Sequence, residues 1–311
     1  MSSIQHTRKH DDLVYDVGMH KGEDADYYMK KGFRVIGFEA NPDLAAQCRS
    51  RFSSEIEHGQ LVVVEGAIAE PPPGEPKRGT VRFYRNKKST IWGTVADDWA
   101  RRNEYLGTSN EIIEVPAVDF LECLKTHGIP HYLKVDIEGM DTVCLKALMH
   151  VEHKPDYVSI ESEKVSFKAL LEEFRLLTQL GYTGFQAVQQ ASISNQIEPD
   201  PSREGRYVGY QFQKCSSGLF GADLPCKWKD YKHILKEYRV IFLQYKLLGD
   251  FGALSKYFVG KVFRRVLSRL LRRPIPGWYD THCRMEPVAP PRDNASTPGC
   301  GSACSSAHSP R

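Results

Sequence analysis

The sequence predicts an α/β protein with a mostly parallel sheet, on three observations. From Asp12 onward, short β-rich runs alternate with amphipathic helical windows, which is typical of βαβ units. The run YDVGMHKGED (15–24) ends a strand on an acidic residue, turns through Gly18 and Gly22, and opens a helix. The next strand ends at Glu39, about twenty residues after the first glycine. Together these features predict a nucleoside-cofactor site at the carboxyl edge of the sheet.

Each element of the N-terminal half has its own local signal. The first helix, Glu23–Lys31, ends before Gly32, and glycine suits the residue after a helix. The second helix begins at Pro42 after a cap at Asn41, because proline suits the first helical position. The intervening β-rich runs predict strands over Leu13–Val17, Arg34–Ala40 and Leu61–Ala69.

The following segment, PPPGEPKRG (71–79), cannot form regular structure, and an edge strand, TVRFYRN, comes after it. Further strands are predicted in IIEVPAV, HYLKVD and DYVSIESE, with helices in DFLECL, MDTVCLKAL and FKALLEEFRLLTQLGY. GFQAV and RYVGYQF form the predicted closing antiparallel pair. The predicted organisation is a disordered N-terminus (1–11), a catalytic domain (12–214), a helical C-terminal extension (215–284) and a low-complexity disordered tail (285–311).

Composition excludes several classes of protein. The net charge of the chain is +3, but Lys256–Arg273 contains seven basic and no acidic residues. The rest of the chain therefore carries a net charge of −4, and we expect no general nucleic-acid binding by it. The basic segment interleaves cations with apolar residues, which suits an anionic membrane surface. The sequence favours packing of this segment on the body with its arginines solvated, and the membrane contact is the alternative. The eight cysteines include no CxxC pair, which argues against a zinc site or redox motif. The first residues are polar, unlike a signal peptide, and no apolar run is long enough to span a membrane. We therefore expect a reducing, cytoplasmic location.

The turn after the first strand favours S-adenosylmethionine over a dinucleotide. Gly18 allows a sharp turn with close approach of the backbone to a ligand, and the helix after Gly22 directs its positive end toward the same space. Asp16 can accept a hydrogen bond from an ammonium group but would repel a pyrophosphate. Glu39 can bind both ribose hydroxyls. A strand–glycine–helix turn can also be a packing device, and the position of Glu39 favours the cofactor site.

The chain resembles the FkbM-type family of S-adenosylmethionine-dependent methyltransferases. The resemblance rests on DVGMHKGED, GFEANP, VEGAIAE, LKVDIEGMD and VSIESE, in that order, and covers about Leu13–Gln213. It implies a Rossmann-like seven-stranded methyltransferase sheet, mostly parallel with one antiparallel strand near the edge. It also implies O-methylation as the usual chemistry.

The resemblance also implies roles for individual residues. The resemblance implies that Asp16, Gly18 and Gly22 form the cofactor turn and that Glu39 binds the ribose. It makes Ala67 and Ile68 candidates for the adenine pocket and places Asp136 near the sulfonium. His20 stands where many methyltransferases have a further glycine. Its side chain is a candidate to contact cofactor or substrate, and a hydrogen bond to backbone is the alternative.

The candidate acceptor edge contains three carboxylates at strand ends or in the turns after them. We expect Asp136 to act as a base or cofactor ligand and Glu161 to be the second candidate base. Glu138 either faces substrate or caps the helix that follows Gly139. A divalent ion held by these carboxylates is a weaker alternative, and no metal site is predicted.

The hypothesis is methyl transfer from S-adenosylmethionine to a hydroxyl oxygen of a carbohydrate or secondary metabolite. A nicotinamide-dependent oxidoreductase is the rival on a related fold, but it requires a GxGxxG turn that this chain lacks. A non-catalytic protein that docks through the basic segment is the rival from another class.

Overall fold

The computed structural model describes most of the chain, and every structural statement below refers to that part. The described residues are 7–69, 79–88, 90–105, 107–137, 139–163, 166–213, 215–248, 264–266, 268–270, 275 and 277–286. The strands are β1 (Lys9–Val17), β2 (Arg34–Glu39), β3 (Leu61–Glu65), β4 (Ala67–Ile68), β5 (Thr80–Asn86), β6 (Asn110–Val118), β7 (Ile129–Val135), β8 (Tyr157–Glu161), β9 (Tyr182–Gln189) and β10 (Tyr279–Met285). The helices are α1 (Glu23–Lys30), α2 (Pro42–Arg51), α3 (Ser53–Glu57), α4 (Asp97–Tyr105), α5 (Phe120–His127), α6 (Asp141–Leu148), α7 (Phe167–Gln179) and α8 (Tyr231–Leu248).

The predicted seven-stranded, mostly parallel sheet is confirmed. Its strand order is β3-β2-β1-β7-β8-β10-β9, and β10 runs antiparallel to both of its neighbours. The order reverses beside β1, where β2 lies on one side and β7 on the other. Open α/β sheets bind ligands at such a reversal, beyond the carboxyl ends of the strands. A smaller sheet, β4-β6-β5, lies beside this edge.

The predicted closing pair is wrong in one of its two strands. β9 forms as predicted, but its partner is β10, with Asp280 opposite Val188 and His282 opposite Gln186. The segment RYVGYQF is not a strand, because the N–H groups of Val208 and Gly209 donate to the Glu198 carboxylate at 3.0 and 2.8 Å. Those groups are therefore not available for a strand ladder.

The structure also shifts the predicted domain limits. β1 begins at Lys9, so residues 9–11 are part of the sheet rather than of a disordered terminus. β10 lies well beyond residue 214, so the range 12–214 does not enclose the whole sheet. The predicted C-terminal extension supplies helix α8 and this strand.

Apolar layers cover both faces of the large sheet, because successive residues of each strand point to opposite faces. Tyr15 and Val17 pack into a cluster with residues of α5, α6, α7 and α8. Val14 and Tyr132 pack on the other face with α1, α2 and the irregular segment around Phe220. The two layers fix the strand ends that form the candidate site.

Much of the basic segment Lys256–Arg273, for which packing on the body and a membrane contact were both considered, lies outside the described residues. Its described parts, 264–266 and 268–270, are helical. The predicted tail is described only to residue 286. Among the described helices, none combines the length and the apolar character needed to cross a membrane.

Candidate active site

A cavity opens at the carboxyl edge of the large sheet, where β1, β2 and β7 end. It contains about 840 Å³ of empty space, part of it open to solvent. Three of the predicted site residues, Asp16, Gly22 and Glu161, do not line it, although all three are described. The predicted residues that do line it are Gly18, His20, Glu39, Ala67, Ile68 and Asp136.

The two glycines of the predicted turn have different roles. Gly18 has φ 83°, and a Cβ atom there would lie 2.0 Å from the backbone oxygen of Asp136. Any side chain would therefore separate the ends of β1 and β7 at the cavity wall. Gly22 has φ 77° at the start of α1, and its Cβ would lie 2.4 Å from the Phe52 ring. Gly22 thus serves packing behind the cavity.

Glu39 is a buried carboxylate held in a fixed orientation. Only 8% of its surface is exposed, and its side chain lines the cavity. One carboxylate oxygen accepts the N–H of Asn41 and the other accepts the N–H of His20, both at 2.8 Å. Burial raises the pKa of Glu39 to about 7, although these hydrogen bonds oppose the shift. Each oxygen keeps a further lone pair that can accept a hydroxyl group.

His20 connects the cofactor turn to the loop that covers it. Its backbone adopts φ 53°, a left-handed conformation that is uncommon for residues other than glycine. One ring nitrogen, Nδ1, lies 3.1 Å from Glu23, and the other, Nε2, lies 2.7 Å from the Thr90 hydroxyl. The side chain therefore bonds other side chains rather than backbone, which was the alternative considered for it.

Asp16 lies behind the cavity wall and bonds a lysine that does line it. Lys134, its register partner on β7, donates to one Asp16 carboxylate oxygen at 2.9 Å and to the Gly18 carbonyl at 3.1 Å. Asp16 is fully buried, and its other oxygen, Oδ2, has no hydrogen-bond partner among the described residues. A buried, unpartnered carboxylate oxygen is costly and favours binding of a donor group.

Asp24, in the first turn of α1, adds a second carboxylate to this end of the cavity. It is 3% exposed, and one of its oxygens lies 3.4 Å from the Lys134 ammonium. Its other oxygen accepts the Ser217 N–H at 2.8 Å, so the segment after residue 214 reaches the site. Burial raises the pKa of Asp24 to about 6.

The charges around Lys134 provide a test of whether S-adenosylmethionine fits. The side chains of Asp16 and Asp24 share one buried ammonium, so this cluster has one more acidic group than it has cations. A further ammonium group would balance this excess and give Asp16 Oδ2 a donor. The amino-acid end of S-adenosylmethionine carries such a group, so the residues present fit this cofactor.

Another part of the cavity wall is apolar. Ala67 and Ile68 are each 4% exposed, and β4 holds them beside β6. The loop over the cavity contributes Thr90, Ile91, Gly93, Thr94 and Val95. Trp92 belongs to the same loop but is not one of the residues that line the cavity. This side offers the flat apolar environment that a purine base requires.

The two candidate catalytic carboxylates differ in position. Asp136 is exposed at the end of β7 and lines the cavity. Glu161, the last residue of β8, lies in register with Asp280 outside the cavity lining. Burial and nearby carboxylates raise the pKa of Asp141 to about 8 and that of Glu173 to about 9. Among the described residues, no group of His, Cys, Asp or Glu could hold a metal ion. Glu138 lies outside the described residues.

Sequence reasoning did not find Asp24 or Lys134. Lys134 lies in β7 two residues before Asp136, which directly follows the strand. Strand alternation therefore predicts that both side chains point to one face, and this signal was available. Asp24 gave no comparable signal, because acidic residues are common in the first turn of any helix.

The sequence matches the Methyltransferase FkbM domain over residues 16–183, more than half of the chain. A search of curated proteins gave no match. Solved structures that the chain resembles include StiE O-MT, residues 961–1257, at 12% identity and a TM-score of 0.36, over 89% of this chain and 69% of that one. The phosphoethanolamine N-methyltransferase 2 of Haemonchus contortus, in complex with S-adenosyl-L-methionine, matches at 11% identity and a TM-score of 0.34, over 89% and 49%.

The precorrin-6Y C5,15-methyltransferase of Geobacter metallireducens matches at 13% identity and a TM-score of 0.29, over 58% of this chain and 69% of that one. These three TM-scores lie below 0.5, so the structural likenesses add nothing to the argument. The family match is independent of them, and it covers the cofactor turn, Glu39 and the strand that ends before Asp136. The chain belongs to the FkbM family of S-adenosylmethionine-dependent methyltransferases.

Proposed function

We propose that this methyltransferase transfers the methyl group to a hydroxyl oxygen of a carbohydrate or secondary metabolite. The observation that carries the proposal is the arrangement around a single cavity. Glu39 lies at one part of its wall, the Asp24–Lys134 pair at another, and exposed Asp136 also faces it. An acceptor that enters beside Asp136 would meet a carboxylate already within the cofactor cavity.

The proposed cofactor contacts follow from the polarity of each wall. Glu39 accepts hydrogen bonds from the ribose hydroxyls, and Ala67 and Ile68 contact the adenine. Asp16 and Asp24 accept the ammonium group, while Gly18 lets the backbone approach. His20 bonds the covering loop, and Gly22 holds the start of α1 in place.

The bound cofactor supplies an electrophilic methyl group on a sulfonium, so the protein's main task is to position the acceptor oxygen. The Asp136 carboxylate would take the hydroxyl proton as the new oxygen–carbon bond forms and the sulfur–methyl bond breaks, with S-adenosylhomocysteine as the leaving group. Glu161 is the alternative base. It would need the acceptor to extend toward β8, near carboxyl groups whose pKa values are raised by burial and mutual repulsion.

Calorimetry with S-adenosylmethionine and with NAD tests the cofactor part of the proposal. We expect binding of the former alone, with a loss of about tenfold or more in Glu39→Ala, because a bond to a charged acceptor is lost. Glu65→Ala is the matched control, since Glu65 ends the neighbouring strand β3 and does not line the cavity. Binding of NAD, or of neither ligand, would support the oxidoreductase or the docking protein instead.

Incubation with methyl-labelled cofactor and an extract of the source cells tests the acceptor. The expected product is an O-methylated small molecule, formed much more slowly by Asp136→Asn. A label found on nitrogen or carbon would contradict the proposed acceptor while leaving the cofactor assignment intact. Full turnover in Asp136→Asn with loss in Glu161→Gln would transfer the role of base to Glu161.

A further inference from the structure

Helix α8 exposes an outer face that combines cations with large apolar side chains. Val240 and Leu243 are 55% and 56% exposed, and Leu247 is 39% exposed. The spacing of three, four and seven residues places these side chains on one face of the helix. Four exposed cations accompany them along the helix: Lys232, Lys236, Arg239 and Lys246.

The opposite face of α8 is firmly bound to the body, so the orientation of the helix is fixed. Ile234, Leu235 and Ile241 are buried in the main apolar cluster. The Tyr238 hydroxyl lies 2.5 Å from the Ser162 hydroxyl and 2.6 Å from that of Thr281. The outer face therefore cannot turn inward without breaking these buried contacts.

The charge around this face is strongly one-sided. Residues 231–273 contain eleven Lys and Arg but only two acidic residues, Glu237 and Asp250. Glu237 bonds Lys229 at 2.7 Å and so does not neutralise the outer face. The rest of the chain has 31 basic and 37 acidic residues, which makes the body net negative. The described part of the following segment continues the pattern, with Arg265, Arg269 and Leu270 exposed.

We propose that the outer face of α8 docks on an anionic lipid bilayer. Cations attract the headgroups, and the apolar side chains between them can enter the boundary of the acyl region. Nucleic acid would use the cations but would leave Val240, Leu243 and Leu247 in water. The end of α8 lies near the edge where the candidate cavity opens, because Tyr245 donates to the Gly277 carbonyl just before β10.

Co-sedimentation of the full chain with vesicles tests this surface without cofactor or acceptor, so its outcome is independent of the proposed methyl transfer. We expect binding to vesicles that contain phosphatidylglycerol and little binding to pure phosphatidylcholine. Each cation near the surface contributes about fivefold to such partitioning, so Lys236→Gln with Arg239→Gln should reduce binding roughly 25-fold. High salt should also reduce it.

Two further pairs of substitutions separate the possible occupants. Leu243→Ser with Leu247→Ser should also weaken vesicle binding, and circular dichroism can check that both exposed pairs leave the fold intact. Lys30→Gln with Arg49→Gln is the control, because these exposed cations lie on α1 and α2. The proposal is overturned if the chain binds neutral vesicles as strongly as anionic ones. It is also overturned if the chain binds duplex nucleic acid and not anionic vesicles. The proposal is also overturned if the wild-type chain does not bind vesicles but forms a dimer that Leu243→Ser with Leu247→Ser disrupts.

Discussion

At the scale of single residues, the candidate site contains buried carboxyl groups, Glu39 and Asp24, whose pKa values are raised by burial. Strand alternation and turn chemistry made Glu39 and Asp136 predictable, because each follows or ends an apolar run at the same edge of the sheet. Asp24 was not predictable in the same way, and neither was the pairing of Lys134 with Asp16. The Lys134 ammonium and the Asp24 carboxylate become neighbours only when β1, β7 and α1 pack together.

Cofactor affinity should depend on pH through two of these groups. The pKa of Glu39 is about 7 and that of Asp24 about 6, so both lose charge as the pH falls through this range. A protonated Glu39 accepts hydroxyl groups less well, and a protonated Asp24 attracts an ammonium less strongly. The dissociation constant for S-adenosylmethionine should therefore rise as the pH falls from 8 to 5.

In Glu39→Gln, the increase in the dissociation constant near neutral pH should disappear, while the increase near pH 6 should remain. Calorimetry across this pH range measures both. Neighbouring His20 and Asp16 face the same carboxylate and are unchanged in this variant. An identical pH profile in wild type and Glu39→Gln would show that Glu39 does not titrate against the cofactor.

The Thr90–His20 hydrogen bond should slow release of the cofactor product. Thr90→Val removes the 2.7 Å bond with little change in shape, so the loop should open more readily. We expect S-adenosylhomocysteine to dissociate about two- to tenfold faster in stopped-flow measurements, the value of one ordinary hydrogen bond. Thr178→Val on α7 is the control, because its hydroxyl bonds only local backbone. Equal rates for wild type and Thr90→Val would contradict a holding role for this bond.

At the scale of elements, the sequence predicted six of the seven strands of the large sheet and placed the seventh in RYVGYQF instead of β10. β10 reads WYDTHCRM with its preceding tryptophan, and its polar residues conceal a strand whose first five residues are buried. Because β10 lies between two strands of the sheet, polar and apolar positions alike are covered, and no alternating pattern results. RYVGYQF has a better strand pattern, yet Glu198 binds its backbone instead.

Tyr238 should stabilise the junction of α8 with β8 and β10. Tyr238→Phe keeps the ring but removes the hydroxyl that bonds Ser162 and Thr281. Those two hydroxyls still bond each other at 2.8 Å, so we expect a loss of about 1–2 kcal/mol in the free energy of unfolding by urea. Tyr231→Phe, on the exposed first turn of α8, should change stability little. A loss of similar size in both variants would exclude a specific role for the buried hydroxyls.

The amino edge of the sheet should show a pH-dependent stability through His131. Burial alone would lower its pKa, but hydrogen bonds to Asp156 and Glu204, both 2.8 Å long, outweigh it and raise the pKa to about 9. The stabilisation is fully present below about pH 6.5, the pKa of an unfolded histidine, and is lost as the pH rises through 9.

His131→Gln should therefore cost up to about 3 kcal/mol at pH 6 and much less near pH 9.5, as measured by urea unfolding. His233→Gln, on the exposed start of α8, is the control, and its cost should be small at both pH values because the His233–Asp230 pair is exposed. A cost in His131→Gln that does not change with pH would indicate a packing role instead.

At the scale of the whole molecule, a net negative catalytic body carries a positively charged C-terminal region. The charge contrast was visible in the sequence, and the basic segment Lys256–Arg273 suggested a membrane contact. The location of the apolar outer face on α8 required the structure, because the helix is rich in apolar residues on more than one side. Only packing against β9 and α7 decides which of them remain exposed.

The C-terminal region is also joined to the catalytic body at two places. Ser217 donates to Asp24 beside the cavity, and β10 completes the sheet. The matched family domain ends at residue 183, before both contacts, so the match itself does not include the residues that make them.

A crystal structure with bound S-adenosylhomocysteine tests the central claim most directly. The account predicts ribose hydroxyls within hydrogen-bond distance of Glu39 and the amino group between Asp16 Oδ2 and Asp24, with adenine against Ala67 and Ile68. A ligand bound outside this cavity, or one whose amino group lies far from the Lys134 carboxylate pair, would contradict it.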